Sequence, residues 1–181
     1  MKVLKIIITV IVIIIVIPLI VALIVPKDYQ VTRQAVIDKP KMEVFGYVKY
    51  LKNQDNFSVW AQMDPNMKKD YHGTDGTVGF VSAWDSENGE VGKGEQEIKR
   101  IIEGDRVDFE IRFLKPFEAT SPAYITTEAI NDSTTKVTWG FDGHSPYPLN
   151  IMLLFMNMED MIGNDLQTGL SNLKQILETN N

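Results

Sequence analysis

A chain of 181 residues, 44% apolar and 23% charged, has the length of one domain with an extension. All 24 acidic residues lie from Asp28 onward. Setting Lys2 and Lys5 aside from the 18 basic residues leaves 16 against those 24, a net of −8 for that part. Such a surface repels phosphate backbones and offers no basic patch to anionic lipid, which argues against nucleic acid as a partner. The absence of cysteine excludes disulfides and thiol catalysis.

Ile6 to Val25 carries no charge and is almost entirely Ile, Val and Leu. At a helical rise it spans about 30 Å, the thickness of a bilayer's hydrocarbon core. A cleaved signal peptide has an apolar stretch of about 7–15 residues and small residues before the cut. This run is longer and ends Leu23-Ile24-Val25-Pro26. The sequence therefore predicts an uncleaved transmembrane anchor over 1–26 and a domain over 27–181. Lys2, Lys5 and the α-amino group precede the run, whereas Lys27 and Asp28 after it nearly cancel. The positive-inside rule then places the anchor in the cell membrane as a single pass, with the domain extracytoplasmic.

Tyr29 to Ile37 alternates as a strand. Asp38-Lys39-Pro40 opens a helix bearing Val44, Phe45, Val48 and Leu51. A less regular, aromatic-bearing connection runs from Asn53 to Pro65. Strand patterns follow over 67–73, 78–85 and 93–102, separated by glycine-bearing turns. Val107, Phe109, Ile111 and Phe113 alternate with Asp108, Glu110 and Arg112, a strand with one apolar face and Arg112 turned away from it. Further strands cover 123–130 and 137–141. From about Asn150 to Glu178, Phe155, Met158, Ile162, Leu166, Leu170, Leu173 and Leu177 recur at helical spacing and predict one helix of about 28 residues. The fold class is α+β: six to seven antiparallel strands curled around one long C-terminal helix.

Chemistry is sparse. The two histidines, His72 and His144, stand apart and in no metal-ligating pattern, and no nucleophile elbow, phosphate loop or dinucleotide fingerprint occurs. The expectation is no catalytic set, no cofactor and no metal. Asp142-Gly-His144 is the best local acid–base pair, but no second group is placed beside it. The aromatic set is more informative. If the sheet curls around the helix, its apolar face and the helix enclose either a filled core or an apolar cavity. Cavity lining is assigned to Trp60, Tyr71, Trp84, Phe109, Phe113, Tyr124, Trp139, Phe141, Phe155, Met158 and Ile162. The run 151–162 adds four methionines, an adaptable apolar surface suited to a pocket mouth or to the nearby bilayer.

Several segments together carry a resemblance. They are Trp60-Ala-Gln-Met-Asp-Pro-Asn-Met67, Val91-Gly-Lys-Gly-Glu95, Lys115-Pro-Phe-Glu118, Thr135-Lys-Val-Thr-Trp139, Phe155-Met-Asn-Met-Glu-Asp-Met-Ile-Gly163 and Gly169-Leu-Ser-Asn-Leu-Lys174. In this order residues 29–178 resemble the START-like helix-grip superfamily, the polyketide cyclase/dehydrase and lipid transport (SRPBCC) group, in its bacterial membrane-anchored form. The resemblance implies a curved sheet gripping a long C-terminal helix around a hydrophobic cavity. It carries over no catalytic residue, since fold does not fix function. The functional expectation is a membrane-anchored, non-enzymatic binding domain for a small hydrophobic, lipid-like ligand. Two alternatives stand beside it: a cyclase/dehydrase-like or hydrolase-like enzyme using Asp142, His144 or Tyr71, and an envelope module that binds proteins.

Overall fold

The structure, a computed structural model, describes residues 2–179. Met1, whose α-amino group entered the orientation reading, and Asn180 and Asn181 lie outside the described residues, as do the side chains of Leu4, Ile7 and Ile8.

The chain begins with helix α1, Lys2–Ile24, which continues through Pro18. Among the described residues no helix is long and apolar enough to cross a membrane. The stretch of α1 whose side chains are all described is 9–24.

Strand β1 (Asp28–Ile37) follows at once. Helix α2 (Lys41–Val48) starts after Pro40, whose fixed φ of −59° suits the entry to a helix, and buries Val44, Phe45 and Val48. The helix expected to run through Leu51 ends at Val48, and two short helices follow, α3 (Leu51–Gln54) and, within the connection read as irregular, α4 (Val59–Met63). A distant carboxylate makes α3 possible: Asp75 accepts the backbone N–H of Leu51 at 2.8 Å and of Lys52 at 3.1 Å. These are orphan donors at a helix start, where negative charge is favoured.

Six strands follow: β2 (Lys68–His72), β3 (Val81–Asp85), β4 (Lys93–Ile102), β5 (Arg106–Lys115), β6 (Ala119–Asn131) and β7 (Thr134–His144). They form one antiparallel sheet in the order β1-β7-β6-β5-β4-β3-β2. The first strand thus returns to pair with the last, in register from Asp28 opposite His144 to Ile37 opposite Thr135. Strand β3 begins at Val81 because Gly79, at φ +87°, and the Thr74–Thr77 turn occupy the residues before it.

The predicted C-terminal helix is two elements. A 3-10 turn covers Leu149–Leu154, and helix α5 covers Met158–Thr179. The break has a local cause. Asn157 caps α5, its Oδ1 accepting the Asp160 N–H at 3.2 Å, and Glu159 and Asp160 place negative charge in the first turn. Asn150 is drawn elsewhere, toward the end of α1.

Helix α5 lies along β1. Lys174 donates to the Val36 carbonyl at 2.6 Å, and Glu178 accepts the Asp38 N–H at 2.7 Å. At the other end Arg33 reaches the Glu159 carbonyl at 2.8 Å and pairs with the Glu159 carboxylate. Gly163 makes that approach possible, since a Cβ there would sit 2.0 Å from the Arg33 guanidinium. Leu166, Leu170, Leu173 and Leu177 form one buried stripe on α5. It meets Val31, Ile98, Val107, Phe109, Ile125, Val137 and Trp139 from the sheet, with Phe45 from α2 and Phe57 from the connection.

Arg112 lies on the outer face, as its parity demands. It donates to Glu95 at 2.6 Å and Glu97 at 2.8 Å and also pairs with Glu110. The hydrogen bond from Arg112 is the main reason the Glu97 carboxyl is held below its ordinary range, with Lys99 adding to it. A carboxylate with a depressed pKa stabilises the fold above its unfolded value and loses that contribution as pH falls through the folded one. Arg112→Met removes the one cation that, among the described residues, touches all three carboxylates, and leaves like charges together. We expect a loss of about 1–2 kcal/mol near neutral pH. We also expect a reversed acid response: wild type weakens as pH falls from about 5 to about 3, through the depressed Glu97 value, while the variant is relieved by protonation. Urea denaturation of both chains across that range checks the sign.

Candidate functional site

A cavity of about 330 Å³ lies between the inner face of the sheet and the helices α3, α4 and α5. That is within the range of small-molecule sites. Its sheet wall is built by alternation. Ile111 and Phe113 on β5, Ala123 on β6, and Trp139 and Phe141 on β7 all project to the same side, and Ile162 and Leu166 of α5 face them. Trp60 and Ala61 of α4, Met67, Trp84 and Val91 close the remaining apolar side.

Glycines set the position of the aromatic rings. Gly94 is the direct cross-strand partner of Trp84, Gly140 of Tyr124, and Gly143 of Tyr29. In each pair the ring lies over the glycine backbone, where a Cβ would come within 2.6, 2.3 and 2.0 Å of it respectively. A strand glycine weakens the ladder, and a covering aromatic ring compensates. Trp84 is thereby laid flat enough to meet Phe113 edge-on, at 6.4 Å and 81°.

Trp60, Trp84, Phe113, Trp139, Phe141 and Ile162, all assigned from sequence, line this cavity together. Phe109 is on the same face but buried in the core beyond it. Tyr71 lies behind the wall, stacked on Phe80 at 6.2 Å, with its hydroxyl donating to Asp55 at 2.8 Å. Tyr124 is on the outer face, its ring 4.1 Å from the Arg106 guanidinium. Met158 is half-buried at the start of α5, and Phe155 is 84% exposed between the 3-10 turn and α5. The residues that sequence reasoning missed include a polar group, Gln54, Asp55 and Ser58 from the connection with Lys69, Ser82 and Gln96 from the sheet. Ile111 carried a signal, standing between Phe109 and Phe113 in one alternating run.

The polar groups concentrate around α3. Asp55 accepts from Tyr71 and from Lys69, the latter at 2.6 Å. Burial and then the hydrogen bond to Asp55 hold the Tyr71 phenol well above its ordinary value, so it remains a neutral donor. Gln54 is buried, lines the cavity, and its Nε2 has no hydrogen-bond partner. An unmet buried donor of this kind is costly and uncommon.

The acid–base candidates lie elsewhere. Asp142 accepts from Gln30 at 2.8 Å on the exposed β1–β7 surface. His144 is 2.6 Å from Asp28, also exposed, where β7 meets the start of β1. His72 faces Asp70 at 3.2 Å at the end of β2. Among the described residues no group of three or more His, Asp and Glu side chains is placed to hold a metal ion.

A second, smaller cavity of about 290 Å³ adjoins the first. Both are lined by Phe113, Lys115, Pro116, Phe141 and Ile162, and the smaller one adds Tyr29, Phe117, Ala119, Ser121 and His144.

The architecture is shared with known structures. A protein from Nitrosospira multiformis superposes with a TM-score of 0.59 over 84% of this chain and 100% of that one, at 16% identity. Ara h 8.0201 gives 0.57 over 84% and 99%, at 14% identity. Norcoclaurine synthase from Thalictrum flavum, in complex with dopamine and hydroxybenzaldehyde, gives 0.59 over 90% and 92%, at 8% identity. The chain therefore shares the helix-grip fold of these structures: a seven-stranded antiparallel sheet with a long C-terminal helix. No family model matches the sequence, and no match was found among curated proteins.

Proposed function

We propose that this chain is a membrane-anchored, non-enzymatic binding domain for a small hydrophobic, lipid-like ligand held between sheet and α5. The observation that carries the reading is the cavity, about 330 Å³ and walled chiefly by Trp60, Trp84, Ile111, Phe113, Trp139, Phe141 and Ile162. An apolar space of that size in an otherwise close-packed interior is a site rather than a packing fault. The unpartnered Gln54 amide narrows the ligand chemistry, because a carboxylate or carbonyl oxygen on the ligand supplies the acceptor that this donor lacks. In norcoclaurine synthase the same fold holds two small aromatic molecules.

The anchor is supported by α1 itself. Its 23 residues extend about 34 Å at a helical rise, against a hydrocarbon core of about 30 Å. Its described side chains from Thr9 to Ile20 are all exposed, so they find no partner in the domain. Each such Ile, Val or Leu left in water forgoes about 1.5–3 kcal/mol, which lipid supplies. The two lysines before the run favour a domain outside the cytoplasm.

Full-length protein purified in mild detergent is expected to release a bound amphiphile on solvent extraction and to bind a fluorescent fatty acid with saturable, low-micromolar affinity. An empty extract together with no saturable probe binding sinks the ligand reading. Release of the chain from membranes by alkaline carbonate sinks the anchor reading separately.

A further inference from the structure

We infer that the smaller cavity is the entrance to the larger one and that it opens onto the bilayer surface, with lipid as the partner of the apolar collar around it. This rests on α1 being the membrane anchor, and it adds where the ligand enters and which face of the domain meets the membrane.

The register orders the two cavities along the sheet. Toward one end Phe109 stands opposite Ala123, and Ala123 opposite Phe141. Moving along the same strands, Ile111 stands opposite Ser121, Phe113 opposite Ala119, and Tyr29 opposite Gly143. The larger cavity runs from the Ala123–Phe141 level to Ile111 and Phe113, and the smaller continues it past Ser121 and Ala119 toward the ends of β1 and β7. The five shared residues make the two spaces one passage. Its outer end is at Tyr29 and His144, next to Asp28, where the chain leaves α1 for the domain.

That outer end is fixed to α1. Asn150 is 0% exposed, and its Nδ2 donates to the Ala22 carbonyl at 2.7 Å and the Val25 carbonyl at 2.8 Å. It thus closes the last turn of α1 from another part of the chain, satisfying carbonyls that a helix end leaves open. Just beyond, the Ser145 N–H donates to the Lys27 carbonyl at 2.8 Å. The end of α1, the exit from β7 and the 3-10 turn are therefore one junction, and the domain cannot swing freely on its anchor.

Around this junction the surface is apolar. Leu149, Met152 and Leu154 of the 3-10 turn are exposed, Phe155 after it is 84% exposed, and Phe117 at the rim of the smaller cavity is 80% exposed. Isolated exposed apolar residues need no explanation, but a group continuous with the end of an apolar helix does. Lipid suits it because the packing of α1 on this turn already brings the membrane-embedded element to the same face. A large apolar ring at the bilayer interface is favoured where its neighbour is hydrocarbon.

The absence of cysteine makes the test clean. Full-length Phe117→Cys, Phe155→Cys and Ser133→Cys, each carrying an environment-sensitive fluorophore, are placed in phosphatidylcholine/phosphatidylglycerol nanodiscs with spin-labelled lipid. Ser133 is the control, in the β6–β7 turn at the opposite end of the sheet. We expect blue-shifted emission and at least threefold stronger quenching at 117 and 155 than at 133. Equal quenching at all three sites, with the chain still in the disc, overturns the inference and leaves the anchor standing. Loss of the chain from the disc overturns both. Crosslinking between copies through 117 or 155, without quenching, assigns the collar to a second chain and overturns it too. A functional arm uses Met152→Asp/Phe155→Asp, which touches neither cavity. Uptake of a fluorescent fatty acid from vesicles should slow at least tenfold, while affinity for the same probe supplied from detergent stays within twofold. Unchanged uptake overturns the entrance.

Discussion

Replacing Trp139 with alanine is expected to cost about 3–5 kcal/mol, the range for removing a large aromatic side chain from a packed interior. Trp139 is 5% exposed and forms the boundary between the core and the cavity. Its ring meets Phe57 edge-on at 5.5 Å and Trp60 at 6.5 Å, two aromatic pairs that add to simple burial. On its other side α5 approaches through Gly169, where a Cβ would be 2.8 Å from the indole. The void left by Trp139→Ala opens into the existing cavity, so collapse around it is limited and the upper part of the range applies. Urea denaturation gives the difference directly. A loss under about 1.5 kcal/mol contradicts this account of the boundary. Trp139→Phe, which keeps a ring against Phe57, should recover more than half of the loss.

The second large effect is on binding. Ala123 is a small buried residue at the sheet wall of the cavity, directly across from Phe109 and Phe141. Ala123→Phe projects a ring into the space the ligand is proposed to fill. If it displaces about four carbon atoms of an apolar chain, at about 0.8 kcal/mol each, affinity falls by about 3 kcal/mol, or more than 100-fold. Stability should change little, because the ring enters a void rather than an occupied volume. Titration with a fluorescent fatty acid, alongside urea denaturation, separates the two outcomes. Unaltered affinity in a folded variant places the ligand elsewhere.

The order of strands and helices was legible because burial on one face leaves a period in the sequence. Strand β5 shows this best: Val107, Phe109 and Ile111 alternate with Asp108, Glu110 and Arg112, and the structure places the first set inward and the salt-bridged set outward. Strand β6 hides its period. Its inward residues include Ser121 and Thr127, both buried, and the small Ala123, while a tyrosine points out. Thr127 is tolerated because its hydroxyl donates to the Gly104 carbonyl at 2.7 Å, a partner that only the tertiary fold supplies. Apolarity alone therefore assigns Tyr124 to the wrong side of that strand. The break near Phe155 was obscured differently. Ile151–Met156 is apolar all round, so helical spacing runs through it unmarked, although Asn157 and Asp160 already had the spacing of a helix start. The polar end of the cavity was out of reach. Gln54 and Asp55 stand at the end of α3, whose start is capped by the Asp75 carboxylate more than twenty residues away, and Ser58 leads into α4.

The three ring-over-glycine pairs have a consequence for how such a sheet can change. At Trp84/Gly94, Tyr124/Gly140 and Tyr29/Gly143 neither member is free alone. Any side chain at the glycine collides with the ring, and loss of the ring uncovers a weak point in the ladder. Sequence drift at these six positions is then expected to be pairwise: where a relative lacks the aromatic it should lack the glycine too. A double-mutant cycle on Tyr124→Ala and Gly140→Ala should show each change softening the penalty of the other, the energetic counterpart of two positions inherited as one.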